Sequence, residues 1–450
     1  MEFRKLKGAV RVRWLGVALL ASLVAGFVDT AFADERLSLG AMMADARRHN
    51  PAIRAARERA RAASLRPKTA GVLEDPTVSW EAWNAPNSLD LSSADNNIFR
   101  IAQKLPYPGR LGGEREIAAY GAELEKWRAD TVELDTVAAV RRAYFELWRI
   151  HRNLEVYARD RDLAARFADL AEKKYSVGEA PQADVIRAQV ELSHLISRLE
   201  TDRFTLEGAR AELNALLGRE PTDPLAIPED PPPPRFEGDL ARLVAIALER
   251  RPEIAAALVS IRREEARLRL AKLGLRPDFE VSASRFVNAD ADDGFGFMAV
   301  VSVPIAYRSK YDAAIAEAAA RHLAAEAERR RLESMIRREV AQAYAAARGA
   351  LVRHELFAAT HIPHAEQSLR VTESAYQSAG VDFLTLVESL RGIQAVHLEH
   401  YAAAADFEKA MADLDRALGA IPTTSGEATT PAHTHDGTAT PAAERPKEER

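Results

Sequence analysis

Cysteine is absent from the 450 residues. That excludes disulfide frameworks, Cys-based zinc sites, Cys nucleophiles and a lipid-modified N-terminal Cys. Aromatic residues are scarce at 7%, while alanine recurs throughout, a balance that favours long, closely packed helices over a β-sandwich. There is no excess of positive charge. The formal charge of −5 argues against a nucleic-acid partner, which demands a basic face. Enzyme motifs are missing as well. Leu111-Gly112-Gly113 is not followed by Gly-Lys-Ser/Thr, and neither a nucleophile elbow nor His-Glu-x-x-His occurs. The expectation is a non-enzyme without a cofactor.

What is present begins with an address. Arg4, Lys5, Lys7, Arg11 and Arg13 precede an apolar stretch from Trp14 to Val28, and Ala31-Phe32-Ala33 follows. A basic start, a short apolar middle and an Ala-x-Ala end make 1–33 a secretory signal peptide. The apolar stretch is shorter than the roughly 20 residues of a membrane-crossing helix, and no later run approaches that length. Removing 1–33 takes away five basic and two acidic residues, which moves the net charge from −5 to −8.

The rest is written twice. Ala46-Arg47-Arg48-His49-Asn50-Pro51-Ala52-Ile53 is echoed by Ala247-Leu248-Glu249-Arg250-Arg251-Pro252-Glu253-Ile254. Leu65-Arg66-Pro67 returns as Leu275-Arg276-Pro277, and Leu105-Pro106 as Val303-Pro304. Leu217-Gly218 returns as Leu418-Gly419. Matches in one order at a nearly constant offset mark a duplicated unit. The units fall at 34–219 and 238–420. A Pro-rich, semi-rigid linker at 220–237 joins them, and a disordered tail of Thr, Ser, Pro and Glu occupies 421–450.

Each unit carries the same internal order. Proline is missing from Gly113 to Val177, enough chain for a helix of roughly 100 Å. Apolar and small residues then recur at spacings of three and four from Val185 to Leu216, and again from Leu386 to Leu418. This is coiled-coil patterning, with turns at Ser176–Pro181 and Gln377–Gly380, and it predicts helical hairpins at about 109–218 and 309–418. Ahead of each hairpin lie runs of period-two alternation, at about 76–105 and 278–304. In them Val78, Trp80 and Ala82, and later Phe295, Phe297, Ala299 and Val301, share one face. The fold class is mainly α with a small β part. The strands suit either a membrane barrel or a small soluble β-subdomain. Four strands cannot close a membrane barrel, whose minimum is about eight. Lipid tolerates no open edge, so strands that enter a membrane must be shared among several copies.

An exported, duplicated unit of strand pairs and long hairpins resembles the TolC-type outer-membrane efflux factor family over nearly the whole mature chain. The residues that carry the resemblance are Asn50-Pro51, Gln103-Lys104-Leu105-Pro106-Tyr107-Pro108-Gly109-Arg110, Tyr175-x-x-Gly178 leading to Asp184-Val185-Ile186, and Leu217-Gly218. The resemblance implies a homotrimer whose four strands per protomer form one 12-strand barrel in outer-membrane lipid. Its hairpins would build an α-barrel in the periplasm that meets a periplasmic adaptor and an inner-membrane pump. It further implies an acidic gate ring near the second hairpin turn, where Glu388 is the first candidate and Asp382 the second. Three copies of a carboxylate around one axis would attract cations. Gly178, Pro181, Asp184 and Gly380 fall where relatives meet the adaptor.

The competing readings are a soluble periplasmic coiled-coil adaptor or scaffold, and a type I secretion duct. The cargo, whether metal ions (the CzcC-like subgroup) or drugs and organic solutes, is not legible. His361 with His364 and His397 with His400 sit three apart on helices, where each pair supplies only half of a metal site. No metal is expected there, and His433 and His435 in the tail are weak candidates.

Overall fold

The computed structural model describes residues 36–83, 94, 96–288, 292–305, 307–378, 380–422 and 428–429. The expected signal peptide and most of the expected tail, with His433 and His435, lie outside the described residues.

The first unit runs α1 (Leu39–His49), α2 (Pro51–Thr69), β1 (Thr77–Trp83), β2 (Asn96–Leu105), α3 (Arg110–Ser176) and α4 (Gln182–Leu217). The second repeats the order as α5 (Leu240–Arg250), α6 (Pro252–Leu273), β3 (Asp278–Asn288), β4 (Gly294–Ser302), α7 (Arg308–Leu356), α8 (Ile362–Gln377) and α9 (Phe383–Leu418). A two-residue pair, β5 (Ile421–Pro422) with β6 (Ala428–Thr429), follows. The fold is therefore a mainly helical duplication carrying one small antiparallel sheet. With 67 residues and no internal proline, α3 extends about 100 Å.

In one respect the second unit departs from the sequence expectation. Its long arm is not one helix, because a π-turn at Phe357–His361 separates α7 from α8. Pro363 supplies the reason. It has no N–H for the carbonyl of Ala359 and its ring crowds that position, so the chain widens locally. The N–H of Ile362 accordingly reaches five residues back to the carbonyl of Phe357.

The recurring Asn-Pro and Leu-Gly signals meet in space. Asn50 caps α2 by accepting from the N–H groups of Ala52 and Ile53, and it donates 2.8 Å to the carbonyl of Leu216. Gly218 ends α4 at φ +71°, and a Cβ there would lie 2.8 Å from the carbonyl oxygen of His49. The second unit repeats the joint with Gly419 against the carbonyl of Arg250. Arg251 stands in the place of Asn50, fully buried between Glu253 and Glu339.

Strand order is β1-β2-β3-β4, antiparallel throughout, so the central β2–β3 pair joins the two units. Register places Trp80 opposite Phe99, and Phe99 opposite Arg285. One face carries Val78, Trp80, Phe99, Ile101, Phe297 and Val301, all exposed. The other carries Glu81, Arg100, Lys104, Ser282 and Ser284. There Arg100 lies 3.4 Å from Glu81 and donates 3.3 Å to Ser284. Asp278 fixes the sheet to the helices: it accepts from the backbone N–H of Tyr107 at 3.0 Å and from Arg110 at 2.5 Å. The helical core forms three clusters. One, around Val140, Tyr144 and Leu147 of α3, packs against α1, α4 and α9. A second, around Phe167, Leu195 and Leu386, lies toward the hairpin turns. The third joins α5, α7 and α9.

Candidate functional site

The turns of the two hairpins form one cluster. At the first, α3 closes with Gly178 at φ +80°, whose N–H reaches Tyr175, while the N–H of Glu179 reaches the carbonyl of Lys174 at 2.8 Å. This is a glycine-dependent helix end, and Pro181 then starts α4. At the second, Gly380 donates 2.8 Å to the carbonyl of Ala375. Asp382 caps α9 by accepting from the N–H of Thr385 at 3.0 Å and from its hydroxyl at 2.5 Å. Those bonds, the hydroxyl's first, hold the Asp382 carboxyl below its ordinary range.

A lysine ties the turns together. Lys174, buried in the seam of α3, donates to the carbonyls of Tyr376 at 2.6 Å and Gln377 at 3.0 Å. These are carbonyls at the C-terminal end of α8, where a cation is favoured. Its ammonium also lies 4.9 Å from the Tyr376 ring centroid, and that ring meets Phe383 edge-on at 5.4 Å. The buried Tyr376 hydroxyl has no hydrogen-bond partner. Asp184 is buried beside it. Burial pushes the Asp184 carboxyl up, Arg187 opposes, and the charge of Asp382 adds to the rise. Burial and then the charge of Asp184 raise the Tyr376 phenol in turn.

The structure thus brings Asp184 and Asp382 to one place and leaves Gly178 and Gly380 exposed at the turns. Glu388 stands apart, exposed on α9 one turn before Arg391. Arg391 reaches the buried carboxylate of Glu191 on α4, with its Nε at 2.9 Å. Spacing alone does not identify Lys174, Tyr376 or the Arg391–Glu191 pair as functional. For Lys174 a signal existed: it continues the buried stripe of Phe167 and Ala171, where an apolar residue belongs.

At the other end, one face of the sheet exposes Trp80, Phe99 and Phe297, the other carries Glu81, Arg100 and Lys104, and among the described residues β1 and β4 have no strand paired on their outer edges. Among the described residues no group of three or more His, Cys, Asp or Glu is placed to hold a metal ion. No described helix is long and apolar enough to cross a membrane.

Comparison with known proteins bears on this arrangement. The family model described as Outer membrane efflux protein matches residues 42–219 and 243–420. Protein CyaE of Bordetella pertussis is 26% identical over 253 residues, covering 54% of this chain, which spans only about half (52%) of that relative. The cobalt-zinc-cadmium resistance protein CzcC of Cupriavidus metallidurans is 23% identical over 379 residues, covering 78% of this chain and 82% of the relative. Among solved structures, the outer-membrane channel OprN superposes with a TM-score of 0.72 at 18% identity, covering 85% of this chain and 89% of that one. Its likeness concerns the fold.

Proposed function

Because the chain belongs to the outer membrane efflux protein family, whose fold is that of TolC-type channels, we propose that three copies form a passive exit duct through the outer membrane. The observation that carries this reading is the sheet. Four strands with two edges unpaired among the described residues, and one apolar face, cannot stand alone in lipid, since each unsatisfied backbone group there costs several kcal/mol. Three protomers supply twelve strands, enough to close a barrel with its polar face inward. A soluble adaptor built from the same hairpins would have no use for Trp80, Phe99, Phe295 and Phe297 turned outward.

On this reading the long helices, up to roughly 100 Å in α3, form a periplasmic tunnel. A periplasmic adaptor and an inner-membrane pump supply cargo and energy at its far end, and the chain performs no chemistry. The gate lies at the hairpin turns. Glu388 and Asp382 form its acidic ring, and Lys174 holds the second hairpin closed against the first. Gly178, Pro181 and Gly380 are the adaptor-facing positions. Asp184 is buried beside them, with its carboxylate 3.6 Å from Arg187. The match to CzcC over most of its length makes divalent metal ions the first cargo class to try.

The test is direct. The protein should fractionate with the outer membrane and run as a heat-sensitive trimer on a gel. In planar bilayers its conductance should be blocked by divalent cations, and the block should weaken in Glu388→Ala. A soluble monomer would overturn the duct. An unchanged block in Glu388→Ala together with Asp382→Asn would overturn only the assigned ring.

A further inference from the structure

Five of the eleven histidines gather in one band of the second unit: His354 on α7, His361 in the π-turn, His364 on α8, and His397 and His400 on α9. The ring contact between histidines in this band runs between helices, across the seam, rather than along one helix. His400 stacks on His354 across the α7–α9 seam, with ring centroids 4.6 Å apart at 30°, and His400 also touches Tyr401. His361 instead lies against Phe357, inside the π-turn. The Nδ1 of His400 is buried without a hydrogen-bond partner. Beside the stack opens a groove of about 290 Å³ lined by Trp148, Pro231–Pro234, Tyr401 and Phe407.

We propose that the His354–His400 stack and the adjoining π-turn form an acid-sensitive hinge that releases α8 and the second hairpin turn. The geometry sets both halves of this device. A π-turn locally replaces the ordinary four-residue helical ladder by a wider, five-residue one, and such turns are found often at functional sites. It stands at the base of the 16-residue α8, a lever of about 24 Å that ends at the cluster of hairpin turns. Two imidazolium rings cannot share a 4.6 Å stack in a half-buried seam, so the closed hinge requires at least one neutral ring, and the burial of His400 makes it that one.

The surrounding charges do not relieve that requirement. Glu355 on α7 and Glu366 on α8 favour protonation of His354 and His397 respectively, and Arg159 on α3 opposes it at His397. Arg353 is bonded to Asp406 across the same seam. The carboxylates nearest the groove are already held: Glu408 by Arg141 at 2.7 Å, and Asp230 of the linker by Arg152. Burial, then His354, then His397 hold His400 down to about 4, against 6.5 for a free imidazole. A folded value below the free one means that closure is fully favoured above pH 6.5 and weakens as pH falls from there toward 4. At pH 5 this single group makes opening about 30-fold easier than at pH 7.5.

The hinge belongs to one protomer and does not rest on the duct reading. The test is hydrogen exchange of the full-length protein in detergent at pH 7.5 and pH 5, with rates scaled for intrinsic chemistry. Amides of the π-turn and α8 should exchange at least about 10-fold faster at pH 5, while those around Val140 of α3 do not. His400→Phe should keep the ring stack and lose the acceleration, whereas His354→Phe, which leaves His400 buried, should lose only part of it. Wild-type exchange that is indifferent to pH, or acceleration that survives undiminished in His400→Phe, would overturn the hinge.

Discussion

Arg110, the first residue of α3, lies 2.5 Å from Asp278, the first residue of β3. The contact crosses from one unit to the other at the point where the sheet stops and the helices begin. Both side chains are partly exposed, so the pair itself contributes modestly, about 1 kcal/mol. Asp278→Ala also strands the N–H of Tyr107. We expect it to lower the unfolding temperature of the assembled protein by a few degrees, measured by loss of helical circular dichroism.

The glycines at the unit joints should be intolerant of a methyl group. Gly218→Ala forces a positive φ on alanine and drives its Cβ against the carbonyl of His49, which should cost about 2 kcal/mol or more. Gly349→Ala, on an exposed face inside α7 with open space around it, should stabilise by up to about 1 kcal/mol. Denaturant titration of the two variants should move the midpoint in opposite directions. A shared direction would refute the close approach.

At the second hairpin turn, charge and capping can be separated. Asp382→Asn keeps an acceptor for Thr385 and removes the charge, whereas Asp382→Ala removes both and should lose about 1 kcal/mol of helix stability. If Asp382 acts through its charge, both variants weaken cation block equally in bilayers. If it acts only as a cap, the asparagine variant behaves as wild type.

Lys174→Met deletes the donor that holds the carbonyls of Tyr376 and Gln377 while keeping the length of the stem. The expected outcome is a higher fraction of open channels without a change in single-channel conductance. A closed, wild-type current would show that the tie does not hold the gate.

Acid stability offers a window separate from the histidine hinge. Burial alone would raise Glu146, but hydrogen bonds from Arg149 and Lys409 outweigh it and draw the carboxyl down to about 2 from 4.5. A depressed folded value means stability that is complete above pH 4.5 and lost as pH falls toward 2, on the order of a few kcal/mol. Glu146→Gln should therefore flatten the acid-unfolding curve between those limits, and lower stability at pH 5 to 7 by about the same few kcal/mol without changing the slope there.

How much of this was legible in the sequence depended on range. Asn50-Pro51 and Leu217-Gly218 announced themselves because capping and a positive φ are demands of single residues, met within one turn of chain. Alternation of Val78, Trp80 and Ala82 marked a strand for the same local reason. The His354–His400 stack and the Lys174–Tyr376 tie join residues of different helices. Their partners are set by how the hairpins pack: the spacing of His397 and His400 placed them in the coiled-coil seam without naming the residue across it. The π-turn was hidden because one proline near a helix start reads as an ordinary beginning.

The central β2–β3 pairing also dictates an order of assembly. Its partners, such as Phe99 and Arg285, stand some 186 residues apart in the chain, so the first strand hairpin waits with a bare edge until the second half emerges. Such an edge is a template for pairing with the wrong chain. Half of this molecule, expressed alone, should aggregate rather than fold, and holdase chaperones on the export route should bind most tightly to chains that stop short of β3.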